Sequence, residues 1–243
     1  MEVIVVGSYE EASEKAAEII EKIVKEKPDC TLGLATGSSP VGMYNELIRK
    51  HKEEGLDFSG VHTVNLDEYV GLAPDHSRSY RYFMDDVLFN HINIDKDNTY
   101  VAKGIGDMDE NLKEFNDVLE KAQVDIQVLG VGADGHIGFN EPSKCLVAGA
   151  HKEKLDESTI DANQRFFNSR DEVPRSAITM GIGNIMKAKR LLLIVNGNKK
   201  EAAKRLLTDD LVDTMCPVTF LKMHRDVTVI LEEALAAEIG YKY

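Results

Sequence analysis

The stretch GVGADGHIGFNEP at residues 130–142 follows the apolar run Asp125-Ile126-Gln127-Val128-Leu129. Open α/β sheets place their chemistry where a strand ends in a glycine-punctuated loop bearing histidine and carboxylates. Asp134, His136 and Glu141 are three proton-carrying groups within eight residues, so the loop predicts acid–base catalysis on a small molecule. Its first six residues, Gly130 to Gly135, also fit the dinucleotide pattern G-x-G-x-x-G. That match is read as a decoy. The glycines of a nucleotide loop open a helix against pyrophosphate, whereas here Gly138 and Pro142 oppose helix. An acid, Asp156, does stand about 20 residues on, as the fingerprint asks, but in a polar stretch without strand pattern. The density of Asp, His, Asn and Glu sets aside the ordinary reading of His136 as a core histidine.

Outward from this loop the chain alternates strand and helix patterns. Strands are predicted over 2–6, 30–35, 61–66, 124–130, 178–181, 190–195 and 227–231. Helices are predicted over 9–27, with Ser8 as N-cap, and over 41–52, opened by Pro40. Further helices are predicted over 80–91, 109–122 and 199–207. This alternation implies an α/β fold with a mainly parallel sheet covered on both faces. No repeat, low-complexity stretch or long linker interrupts it, so residues 1–243 read as a single domain. Residues 143–175 are polar and irregular in pattern, and the part at 151–175 reads either as a lid or as a solvated surface excursion.

Composition bounds the partners. The chain has 243 residues, 43% hydrophobic and 29% charged, ordinary for a globular protein. No apolar run approaches the roughly 20 residues of a membrane span, and the N-terminus reads as a first strand rather than a signal peptide. Cys30, Cys145 and Cys216 have no metal spacing and make no disulfide framework, so a cytoplasmic location is expected. The net charge of −13 argues against nucleic acid. It also means that an anionic substrate needs local compensation from Arg, Lys or a helix N-terminus.

Two more strand-end loops carry chemistry. LGLATGSSP at 32–40 can present amide and hydroxyl groups of Gly37, Ser38 and Ser39 to an anion; the ordinary alternative is a turn with Ser39 as N-cap. It is no P-loop, since no Gly-Lys-Ser/Thr follows. VNLDEYVGL at 64–72 puts Asp67 and Glu68 where a strand meets its loop. Burial and a neighbouring like charge raise a carboxyl pKa, so this pair can supply a general base; alone, it would read as an acidic loop.

Together these loops resemble the glucosamine-6-phosphate deaminases, also called glucosamine-6-phosphate isomerases. The resemblance covers nearly the whole chain and extends to Ser79-Tyr80, Asn163-Gln164-Arg165-Phe166-Phe167, ITMGIGNIM at 178–186 and the Gly197–Lys200 turn. It implies a Rossmann-like three-layer α/β/α sandwich that binds no nucleotide. It implies conversion of glucosamine 6-phosphate and water to fructose 6-phosphate and ammonia, with no metal and no organic cofactor. By that resemblance Asp67 is the base that moves a proton from C2 to C1. His136 is the acid/base of ring opening, with Asp134 and Glu141 as its partners. Gly37, Ser38, Ser39, Arg165 and Lys200 hold the substrate phosphate.

Some positions depart from the family pattern. Gly37-Ser38-Ser39-Pro40 stands for Gly-Gly-Thr-Pro, adding a Cβ where glycine allowed any φ, and His76-Ser77-Arg78-Ser79-Tyr80 stands for His-Pro-x-Ser-Tyr. Longer members are hexamers activated by N-acetylglucosamine 6-phosphate. At the corresponding basic positions this chain carries His151 and Glu153, and it ends at Tyr243, so little activation is expected; self-association is left open. The competing readings are a 6-phosphogluconolactonase-like hydrolase and a non-catalytic sugar-phosphate sensor. Phe139-Asn140-Glu141-Pro142, in place of the lactonases' Ser-Leu-Phe-Pro type of sequence, favours the deaminase. The acidic charge and the absence of a helix-turn-helix pattern oppose a DNA-bound sensor.

Overall fold

The computed structural model describes residues 1–242; Tyr243, invoked above as the chain's end, lies outside the described residues. The main sheet has seven strands in the order β1 (Glu2–Val6), β10 (Val227–Glu232), β9 (Leu191–Val195), β6 (Ile126–Leu129), β2 (Thr31–Leu34), β3 (His62–Asn65) and β5 (Thr99–Tyr100). Every pairing in it is parallel. Such strands are buried on both faces and need apolar residues throughout, which Leu191–Val195, Leu-Leu-Leu-Ile-Val, supplies without interruption.

Successive side chains of a strand point to opposite faces, and the two faces build two cores. Leu191, Leu193, Val195, Val227, Val229 and Leu231 pack on one side. There they meet α4 (Met108–Lys121), α6 (Ile182–Ile185), α7 (Lys200–Leu207) and α8 (Glu233–Glu238). Leu32, Leu34, Ile126, Val128, Leu192 and Ile194 pack on the other, against α1 (Tyr9–Glu26), α2 (Val41–Glu54) and α3 (Tyr80–Val87). The result is the expected three-layer α/β/α arrangement. Ser8 caps α1 as expected, accepting from the Glu11 amide at 3.2 Å. No helix among the described residues is long and apolar enough to cross a membrane.

A second sheet departs from the expectation. It has three antiparallel strands, β4 (Asp67–Tyr69), β8 (Ser176–Thr179) and β7 (His151–Lys154). β7 and α5 (Glu157–Asn163) lie in the stretch read as irregular. Neither carries a hydrophobic period: β7 is His-Lys-Glu-Lys, and α5 buries only Thr159 and Ile160. The helix predicted over 80–91 stops at Val87 and continues as a 3₁₀ turn, Phe89–His91.

Candidate active site

After β2 the chain builds the sheet outward through β3 and β5, and after β6 it builds through β9 and β10 the other way. The order therefore reverses between β2 and β6, and ligands of open α/β sheets bind at the carboxyl ends of strands beside such a reversal. The strands run parallel, so the loops after β2, β3, β6 and β9 gather at one edge. They wall a cleft of about 600 Å³ whose lining includes Gly37, Ser38, Ser39, Asp67, Asp134, His136, Arg165 and Lys199.

The loop after β6 is a tight turn rather than a helix start. The Gly132 amide donates to the His136 carbonyl at 2.9 Å and the Gly135 amide to the Gly132 carbonyl at 3.1 Å. Gly135 holds φ +93°, which only glycine adopts freely. A Cβ on it would fall 2.4 Å from Cys216 Sγ, and one on Gly132 would fall 2.3 Å from the His136 ring. Of the glycines that mimic a nucleotide fingerprint, Gly132 thus makes room for the imidazole and Gly135 for Cys216. Asn140 anchors the far end, its amide nitrogen donating to the Ile137 and Met180 carbonyls at 2.9 and 2.8 Å.

His136 Nδ1 lies 2.8 Å from Asp134 Oδ1 and 3.6 Å from Glu141 Oε2. The Asp134 carboxylate is thus in direct contact with the ring nitrogen. Burial disfavours the charged imidazole, yet the two carboxylates outweigh it and hold His136 above its ordinary value. Burial opposes the charge on Asp134 as well, but contact with His136 leaves it below the usual carboxyl range. Glu141, buried beside the ring, is pushed up, chiefly by that burial, with His136 and the Thr159 hydroxyl opposing. These three residues offer ligand atoms within 4.8 Å of one another, so the same set could chemically accept a metal ion.

Asp67 sits across the cleft at the first position of β4, buried but among the lining residues. Burial drives its carboxyl up to about 8, with the Glu68 charge adding and His136 opposing. Glu68 points away from the cleft, and burial raises it to about 7 against three backbone N–H groups that favour its ionised form.

At the other end, Gly37 takes φ +85° and no residue other than glycine has a positive φ among the described residues, so Ser38 carries its Cβ without strain. The Tyr9 hydroxyl lies 2.8 and 3.0 Å from the Ser38 and Ser39 carbonyls, and the Gly42 amide donates to it at 2.9 Å. Ser39 is not the cap of α2; its hydroxyl donates to Asn196 Oδ1 at 2.7 Å, joining the loops after β2 and β9. Arg165 reaches Ser38 Oγ at 3.4 Å with its guanidinium over the Phe166 ring. Lys200, expected among the phosphate ligands, is not brought to the cleft. Its ammonium pairs with Glu238 at 3.0 Å outside the cleft lining, and Lys199 is the lysine on the wall. Successive side chains at a helix start diverge by about 100°, so only one of the two faces inward. Burial, helped by Arg165, lowers the Lys199 ammonium.

The family model of glucosamine-6-phosphate isomerases/6-phosphogluconolactonase matches residues 7–230. The chain belongs to this family. It is 51% identical over 242 residues to a glucosamine-6-phosphate deaminase of Thermoanaerobacter sp. (strain X514), covering 98% of this chain and 95% of that protein. The solved structure of a monomeric glucosamine-6-phosphate deaminase is 41% identical, with a TM-score of 0.94 over 98% of this chain and 99% of that one. The 6-phosphogluconolactonase from Trypanosoma brucei, 17% identical over 98% of both chains with a TM-score of 0.77, shares the fold.

Within this family frame, the cleft contains groups that sequence reasoning missed. Lys199 was hidden by its neighbour Lys200, because a Lys-Lys pair at a helix start carries no signal of which one turns inward. An aromatic wall was missed too: Tyr80 stacks on Phe139 with centroids 6.1 Å apart and lies 4.7 Å from Tyr69. The alternation of Asp67 and Tyr69 along one strand face could have pointed to it.

Proposed function

We propose that this protein is a glucosamine-6-phosphate deaminase, converting glucosamine 6-phosphate and water into fructose 6-phosphate and ammonia. The observation that carries the reading is that Asp67 and His136 line one cleft of about 600 Å³, beside a hydroxyl-bearing loop and two cations. Relatives at 51% and 41% identity bear that activity in their names.

His136 carries a proton between the anomeric hydroxyl and the ring oxygen, opening the pyranose to an aldehyde. Opening makes the C2 proton acidic, so a second group is needed at a second atom. Asp67, as carboxylate, takes that proton, the electron pair forms a C1–C2 double bond, and the aldehyde oxygen takes a proton from the substrate's ammonium group, giving an enol amine. Asp67 returns the proton to C1, which leaves an imine at C2. Water adds there, the amine leaves as ammonia, and the ketose remains. A positioned general base contributes ~10²–10⁴-fold. The phosphate is a remote handle, held by the Gly37–Ser39 loop, Arg165 and Lys199, whose binding positions the reacting carbons. No metal or organic cofactor enters this scheme.

Residues 1–243 form one catalytic unit in this proposal, and 151–175 serves as the cover that brings Arg165 to the substrate. His151 Nε2 pairs with Glu153 Oε2 at 3.1 Å, so this pair offers an activator phosphate no free cation, and hyperbolic kinetics unchanged by N-acetylglucosamine 6-phosphate are expected. The named groups all come from one chain, so activity requires no second copy.

Purified protein mixed with glucosamine 6-phosphate in D₂O tests the reading. Ammonia and fructose 6-phosphate should form, with deuterium at C1. Hydrolysis of 6-phosphogluconolactone without ammonia release would make the protein a lactonase instead. Binding of the sugar phosphate without turnover would make it a sensor.

A further inference from the structure

We infer that Glu68 is a positioning residue for this reaction: its two carboxylate oxygens tie the strand that carries Asp67 to the first turn of the helix that carries Tyr80, so that base and aromatic wall are set as one piece. The inference rests on Asp67 being the base, as proposed above.

Three bonds make the tie. Glu68 Oε1 accepts from the Tyr69 amide at 2.8 Å and the Tyr80 amide at 2.9 Å, and Oε2 accepts from the Arg81 amide at 3.0 Å. Tyr80 and Arg81 open α3, and the first amides of a helix have no partner within it. Ser79 Oγ takes the Tyr82 amide at 3.0 Å, so the strand glutamate and the cap serine between them satisfy three of these groups. A negative charge at a helix N-terminus is favoured by the aligned peptide dipoles.

The strand needs such a tie. β4 is three residues long and is the edge strand of the small sheet, paired only to β8. Its side chains alternate: Asp67 and Tyr69 line the cleft while Glu68, 1% exposed, faces the helix. Glu68 therefore touches no substrate. It holds β4 in place, and with it the Tyr69 and Tyr80 rings, 4.7 Å apart. Its charge also stands directly behind the base. Burial is the main reason that Asp67 is a stronger base than an ordinary carboxylate, and the Glu68 charge adds to it. Glutamine cannot replace it, because one of its two terminal atoms is a donor facing donors.

The test compares wild type with Glu68→Gln and Glu68→Asp, by steady-state kinetics on glucosamine 6-phosphate and by ¹³C-carboxyl titration of Asp67 without substrate. Glu68→Gln should lower kcat about tenfold or more, since small misplacements of a catalytic group are costly, and should change KM much less. The acid limb of kcat/KM and the Asp67 titration should both move to lower pH, because a like charge is gone. Glu68→Asp keeps the charge but is too short to span β4 and α3, so kcat should fall while the acid limb stays. Unchanged kcat and an unmoved limb in Glu68→Gln would overturn the inference. If that variant does not fold, wild-type kcat in Glu68→Asp would do so alone. A wild-type protein inert toward glucosamine 6-phosphate would sink the function but not the tie, which the substrate-free titration still reads.

Discussion

The surroundings of Asp67 and His136 push both groups upward, as the proposed division of work between base and acid requires. Asp67 is costly to ionise where it stands, with its carboxyl raised to about 8. Replacing it with Asn should cut kcat by ~10²–10⁴-fold, the range of a lost general base. The same change should stabilise the fold. A carboxyl raised in the folded state binds more protons there than in the unfolded chain, so stability falls as pH rises from its unfolded value, near 4, toward 8. Asp67→Asn should therefore raise Tm, by a margin that widens across that window, as calorimetry at pH 5 and pH 8 would read. His136 is raised in its turn by Asp134 and Glu141. Glu141→Gln removes one of those charges and should lower the imidazole pKa, followed by the ring proton signals in an NMR titration; an unmoved value would mean that Asp134 alone sets it. That Asp134, His136 and Glu141 come together was legible in the sequence, because they crowd one loop. The size of the Asp67 shift was not, because it comes from burial by segments far away in the chain, including Gly138 and Thr179.

At the level of elements, the functional groups depend on where strands stop and helices start. The strands and most helices follow from hydrophobic period, and the loops after β2, β3, β6 and β9 follow from the strands. What could not be read is the short polar element. β4 is Asp-Glu-Tyr and β7 is His-Lys-Glu-Lys, and neither differs from a loop until β8 lies between them. The start of α7 is the same kind of problem at single-residue resolution. Lys199→Ala should raise KM several-fold with kcat little changed, as expected when ground state and transition state lose the same contact. Lys200→Ala, whose partner is Glu238 on the surface, should leave KM near wild type. The reverse order would return the phosphate to Lys200.

For the molecule as a whole, the open question in the composition was how a chain of net charge −13 takes up a phosphorylated sugar. Arg165 and Lys199 stand at one end of the cleft beside the hydroxyls of the β2 loop. The repulsive field is long-ranged, and salt screens it over a Debye length of about 10 Å at 0.1 M. The two cations lie in the cleft wall, and the Lys199 ammonium is partly buried, so a phosphate bound there would meet them at short range, partly shielded from the salt. Raising sodium chloride from low millimolar to about 0.1 M should thus lower KM, by faster encounter. A KM that only rises with salt would mean that the local cations, and not the global charge, govern uptake. The parallel sheet and its reactive edge were legible from strand–helix alternation. The existence of a second, antiparallel sheet was not, since it depends on contacts between segments more than a hundred residues apart, such as Asp67 with Thr179.

Thr179 pairs with Asp67 on one flank and with His151 on the other, and its hydroxyl receives the Phe139 amide from the imidazole loop. One fully buried threonine therefore joins the Asp67 strand, the imidazole loop and the strand that opens residues 151–175. A molecule that wedges the small sheet from its outer side would disarm the reaction without ever competing with the sugar for its seat.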